Sequence, residues 1–182
     1  MSPFEIFVQG IGLLASLLIV LSFQVKNTKA LLAWQIVANL CMTVHYLLLG
    51  TDSITAALVS LVSVARGVWF YLEKEKPRIW SIVTIESTYV LICALTFSGA
   101  TSLLSTAAQL GSTYIFWQKR SIVVTKLFAL LFISPLWLCH NILVISWGGI
   151  ACESLNILLL LIFFIRRHLA MHGKLKNAEL DG

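Results

Sequence analysis

Three ionisable side chains stand inside runs of apolar residues: His45, His140 and Glu153. Two imidazoles and a carboxylate could exchange a proton at a polar gate, serve a hydrolase, or ligate zinc. Their spacing has no HExxH-like pattern, so no metal site and no cofactor is expected. The bland alternative is that they bond loop carbonyls or water. A second set is neutral: Asn39, Ser60, Gln109 and Asn156, with Ser16 nearby and Trp137 as a candidate wall. Such groups can hydrogen-bond a small polar solute, or simply hold helices together in lipid. A third set is a pair, Arg66 and Glu86. An ionisable group inside a bilayer costs on the order of 3 kcal/mol, so each of these residues needs a reason.

The elements that position them follow from composition. The chain has 182 residues, 59% apolar and 12% charged, with mean hydropathy +0.91. A soluble domain carries about 25% charged residues. Too few polar residues remain to coat a globule, so the solvent is largely lipid. A membrane helix needs about 20 apolar residues, and hydropathy predicts seven spans. They are Phe4 to Phe23, Ala30 to Leu49, Ile54 to Leu72, Ile79 to Phe97, Thr101 to Trp117, Ile122 to Val144 and Gly149 to Ile165. The fifth is the weakest, with Ser102, Ser105, Gln109, Ser112 and Thr113 in it. The tail from Arg166 is polar and is expected to fray. Short connections such as Gly50 to Ser53 and Ser98 to Ala100 make successive helices antiparallel.

The net charge of +5 does not indicate nucleic acid, because the charges cluster between apolar runs and not along one helical face. With seven spans, Lys26, Lys29, Lys74, Lys76, Arg78, Lys119 and Arg120 share one side with Arg166, Arg167, Lys174 and Lys176. The opposite face receives no Lys or Arg. The positive-inside rule then predicts a periplasmic N-terminus and a cytoplasmic C-terminus. The first run has no basic residues ahead of it and reads as a retained helix, not a signal peptide. Cys41, Cys93, Cys139 and Cys152 form no CxxC pattern and read as helix packing. His168 and His172 read as part of a solvated basic tail.

The chain also repeats itself. Phe23 to Leu49 is echoed roughly ninety-five residues later by Trp117 to Val144. Phe23-Gln24 aligns with Trp117-Gln118, His45 with His140, and Ser60 falls where Asn156 falls. The expected fold is therefore all-α: two parallel three-helix units, residues 1–72 and 100–166, joined by a linker with helix four over 73–99, with a polar cytosolic tail over 167–182. At about 1.5 Å per residue, His45, His140 and Glu153 lie about 6 Å below the outer face, as an outer gate. Asn39, Ser60, Gln109, Trp137 and Asn156 lie deeper, as a solute pocket. Asn39, Thr43 and Tyr46 share one stripe of the second helix, with Gln35 below. Arg66 and Glu86 lie about 9 to 10 Å from the inner face on neighbouring antiparallel helices, which predicts an ion pair fastening helix four to the first unit.

This three-plus-one-plus-three plan resembles the SWEET and PQ-loop group of small transporters. Through SFQVKN (Ser22 to Asn27), VHYLLLG (Val44 to Gly50) and WLCHNILVISWGGIACESLN (Trp137 to Asn156), nearly the whole chain resembles the YgjV-type family of bacterial inner membrane proteins. The resemblance implies architecture and an inner-membrane location, and no substrate. PQ-loop proteins carry Pro-Gln where this chain has Phe23-Gln24 and Trp117-Gln118. SWEET-type helix prolines recur in both units, whereas here Pro135 has no counterpart in the second helix. A proline frees a backbone carbonyl and kinks a helix, so any hinge motion is expected to be lopsided. SWEET sugar sites pair an aromatic with an asparagine in each unit. Here the slots hold His140 with Asn156 and His45 with Ser60, so sugar specificity does not carry over.

The expectation is a non-enzymatic, transporter-like protein whose partners are the bilayer, a small polar solute and a candidate second copy of itself. The rivals are a scaffold or sensor presenting the basic face, and a membrane-embedded hydrolase.

Overall fold

The computed structural model describes residues 2–73, 78–118 and 121–180, with side chains as far as residue 170. Lys74, Lys76, Lys119 and Arg120, counted above for the basic face, lie outside the described residues, as do the side chains of His172, Lys174 and Lys176. Seven helices and no strands make up the described chain. They are α1 (Pro3–Gln24), α2 (Thr28–Leu49), α3 (Ile54–Leu72), α4 (Ile79–Leu95), α5 (Ala100–Trp117), α6 (Ile122–Leu143) and α7 (Trp147–Leu180).

Local chemistry sets most of these ends. Ser2 and Glu5 form a capping box at the start of α1, with bonds of 3.2 and 2.8 Å. Asn27 caps α2 by accepting from the Ala30 amide at 2.7 Å, and Ser121 caps α6 by accepting from the Val124 amide at 3.4 Å. These two caps occupy matching places in the repeat. Gly50 closes α2 at φ 122°, a conformation that suits a residue without Cβ. Ile145 follows α6 at φ 55°, in the left-handed region that a β-branched residue rarely adopts.

Five helices are long and apolar enough to cross a membrane: α1, α2, α3 with its leading turn, α6 and α7. Helix α4 is apolar but has 17 residues. Helix α5 falls short on hydropathy because it buries Ser102, Ser105, Gln109, Ser112 and Thr113 against its neighbours. The tail expected to fray does not do so at once, since α7 runs on to Leu180. Hydropathy ends at Ile165 because it measures preference for lipid. The helix persists because Arg166 to Leu180 is rich in Leu, Ala, Lys and Arg and has no proline.

The burial pattern is that of a lipid-solvated bundle. Buried polar side chains are about as numerous as buried apolar ones, while Leu95 and Leu131 are 76% and 69% exposed. Six helices pack in cyclic order: α1 on α2, α2 on α3, α3 on α5, α5 on α6, α6 on α7, and α7 back on α1. Helix α4 stands outside this ring, against α3 and α5. Helix α6 widens to a π-helical turn over Ala129–Ile133, just ahead of Pro135, whereas α2 is α-helical throughout. A proline lacks the N–H that would bond the carbonyl one turn back, and a widened turn absorbs that loss.

The expected ion pair is absent. Arg66 turns into the ring and donates to Thr113 Oγ1 at 2.9 Å and Gln109 Oε1 at 3.4 Å, both on α5, with its guanidinium 5.4 Å from the Phe116 ring centroid. Helix α4 buries the stripe Ile82, Ile85, Tyr89 and Cys93. Glu86, four residues past Ile82, lies at the edge of that stripe and is half-buried. Arg66 is taken up by α5 and not by α4. What fastens α4 instead includes Tyr89, whose hydroxyl lies 2.8 Å from Ser63 Oγ on α3. Glu86→Gln is accordingly expected to shift the melting temperature of purified protein by no more than about 1–2 °C. A loss matching that of Arg66→Gln would reinstate the pair.

Candidate functional site

Each histidine is bolted to the neighbouring helix. His45 is fully buried, with Nδ1 2.9 Å from the Val8 carbonyl of α1 and Nε2 2.9 Å from Ser146 Oγ. A carbonyl only accepts, so Nδ1 carries the proton and Nε2 accepts from the serine hydroxyl. Gly12 makes room for the ring: a Cβ there would sit 2.5 Å from His45 Cε1. His140 is also fully buried, and its Nδ1–H donates to the Thr101 carbonyl of α5 at 3.0 Å. Thus α2 is tied to α1 and α6 to α5 by aligned histidines. No hydrogen bond joins any two of His45, His140 and Glu153, the three expected at an outer gate. Among the described residues no group of three His, Cys, Asp or Glu side chains is placed to hold a metal ion.

Between the histidines sits Tyr46, which stacks on Trp137 at 5.8 Å and 9° and meets His140 edge-on at 5.4 Å. Its hydroxyl donates to Asn141 Oδ1 at 3.0 Å. Tyr46 and Asn141 each follow an aligned histidine, so matching positions of the repeat bond to each other across the ring. The aligned histidines were the available signal for this contact, but nothing in the spacing said that their successors would face one another.

Below this aromatic layer lies a cavity of about 40 Å³. By volume it holds on the order of two or three waters. All six ring helices line it: Ile19 and Phe23 of α1, Gln35 and Asn39 of α2, and Arg66 of α3 form one side. Gln109 and Ser112 of α5, Ser134 and Trp137 of α6, and Glu153 of α7 form the other. A second chamber of about 30 Å³ shares Asn39, Trp137 and Glu153 and adds Met42, Tyr46 and Ser60.

Of the five residues expected to form a solute pocket, Asn39, Ser60, Gln109 and Trp137 line these chambers. Asn156 stands behind the wall, fully buried, donating to Ser134 Oγ at 2.8 Å. Glu153, expected at a gate, belongs to the cavity wall itself. Arg66, expected to be a fastener, is the residue that the sequence reading misplaced. Three residues that line the chambers carry a polar atom with no partner within the protein, Ser60 Oγ, Arg66 Nε and Glu153 Oε2, as does Asn156 Oδ1 behind the wall. Buried polar atoms are nearly always satisfied, so these three leave the chambers with bonding capacity for a polar molecule, while Ser16 Oγ, Thr106 Oγ1, His140 Nε2 and Asn141 Nδ2 are also unpartnered on residues that do not line them.

Compared with protein families, residues 6–171 match Imp-YgjV, described as a bacterial inner membrane protein. No curated protein and no solved structure matches the chain.

Proposed function

From the premise that this chain belongs to the Imp-YgjV family of bacterial inner membrane proteins, we propose that it is a carrier moving a small polar solute across that membrane by alternating access. The observation that carries this reading is the polar cavity walled by every helix of the ring. A site at the junction of two repeats is exposed to either side when one repeat rocks against the other. In this reading α1–α3 and α5–α7 are two like-oriented units, and α4 is the bridge that lets both face the same way. The cyclic packing supports it, because exchanging the units turns the α1–α7 seam into the α5–α3 seam. The end with Lys26, Lys29, Arg78, Arg166 and Arg167 is cytoplasmic and the His45 end periplasmic, as the charge bias favours. Tyr46, Trp137 and Asn141 then form a closed periplasmic gate. The π-helical turn and Pro135 make α6 the more pliable of the two central helices. We assign no reaction to His45, since both of its ring nitrogens are engaged.

Proteoliposomes loaded with a pool of small polar metabolites test this reading. Efflux of at least one component is expected, and Asn39→Ala, which removes a wall shared by both chambers, is expected to slow it at least about tenfold while the melting temperature stays near that of the parent. No efflux of any component would favour a scaffold or sensor, and efflux indifferent to Asn39→Ala would move the path elsewhere.

A further inference from the structure

We infer that the solute is a small zwitterion, with an oxyanion end bound at Arg66 and an ammonium end bound at Glu153. This rests on the carrier reading above and narrows it to a chemical class.

An ionisable base and an ionisable acid, Arg66 and Glu153, line the same cavity without pairing with each other. Arg66 is 2% exposed, and its hydrogen-bond partners are a neutral amide and a neutral hydroxyl. Its Nε–H has no partner at all. Glu153 is 6% exposed, its Oε2 is unpartnered, and its neighbours Ser134 and Asn156 are likewise neutral. No ion pair joins the two groups. A buried charge left unpaired is strongly unfavourable, and removing one member of a buried pair typically costs about 3–5 kcal/mol. A fold that needed only stability would have closed them on each other or replaced both with apolar residues. Holding them apart across a cavity leaves each for a ligand group of the opposite sign.

Each end also has the right chemistry. A guanidinium presents a planar fork of N–H donors that matches an oxyanion, and the vacant Nε–H of Arg66 is one tine of that fork. Glu153 lines both chambers and carries an unpartnered acceptor oxygen, which suits the several N–H donors of an ammonium. Asn39, Gln109 and Ser112 supply neutral contacts between them. A solute with a single charge satisfies one end and leaves the other worse off, whereas a neutral polyol satisfies neither. The two chambers, of about 40 and 30 Å³ and sharing Asn39, Trp137 and Glu153, together limit the ligand to a few heavy atoms, which points to the shortest amino acids.

The test is thermal stabilisation of detergent-purified protein together with radiolabelled uptake in proteoliposomes. The probes are glycine, L-alanine and β-alanine, against acetate, ethylamine and glycerol. At least one zwitterion is expected to raise the melting point and to enter vesicles, with acetate and ethylamine ineffective at the same concentration. Glu153→Gln and Arg66→Gln are each expected to weaken zwitterion binding at least about thirtyfold. Should Arg66→Gln not fold, Glu153→Gln and the single-charge probes on the parent protein still decide the matter. Glycerol binding and moving while all three zwitterions do neither would overturn the inference and leave the carrier reading intact. Acetate or ethylamine performing as well as the zwitterions would overturn it too. No flux of any solute, including the metabolite pool, would remove both.

Discussion

Gly148→Ala is expected to lower the melting temperature by roughly 6–12 °C, corresponding to about 3 kcal/mol for a chain of this size. A Cβ at Gly148 would lie 2.6 Å from the Leu13 amide nitrogen and 3.0 Å from the Gln9 carbonyl oxygen. Both are backbone atoms of α1, so no side chain can rotate away and the helices themselves must part. The seam has little slack. Gln9 donates to the Ile145 carbonyl at 3.3 Å and accepts from the Gly148 amide at 3.4 Å, satisfying an N–H at the start of α7 that has no partner within its own helix. The control is Gly10→Ala: nothing lies within 4 Å of a Cβ there, and alanine is the better helix former by about 1 kcal/mol. Thermal unfolding in mild detergent should move the two variants in opposite directions. An unchanged melting point for Gly148→Ala would mean that the α1–α7 seam is not closed, and with it the ring.

The second large effect is a coupling. His45→Ala removes a buried ring and two hydrogen bonds, and is expected to cost about 3 kcal/mol or more. Gly12→Ala alone is expected to cost about 1–3 kcal/mol, because the ring it strikes is held at both nitrogens and has nowhere to go. Together they should cost less than their sum by about 2 kcal/mol, since the new methyl enters the space that the imidazole vacated. A double-mutant cycle on unfolding free energies measures this. Simple additivity would say that the ring does not rest on Gly12. If Gly12→Ala instead left stability alone and changed only transport, His45 would be a moving gate and not a bolt.

These two expectations concern packing that no reading of the chain could reach, and the contrast with what was legible has a physical cause. Hydropathy located all seven helices, because the length of a span is set by the thickness of lipid and written as a run of apolar residues. Five of them meet the length and composition needed to cross. The family was legible in SFQVKN, VHYLLLG and the stretch from Trp137 to Asn156. Asn39, Ser60, Gln109 and Trp137 were singled out as polar or aromatic groups at depth, and they line the chambers.

Direction around the helix axis was not legible. In a soluble protein the apolar stripe of a helix reveals which side faces inward. In lipid both sides of a helix are apolar, and that marker fades. Arg66 shows the consequence: its distance from the basic end matched that of Glu86, yet it points across the ring to Gln109 and Thr113. The same blindness hid the bond from Tyr46 to Asn141, although both stand beside aligned histidines. By itself the sequence determined how many helices there are, about where each begins, and how far along its helix each polar group sits. Only the tertiary structure decided which of those groups meet, because meeting depends on the rotation and neighbour order of the helices, which are settled by close contacts such as Gly148 on α1 and Gly12 on His45.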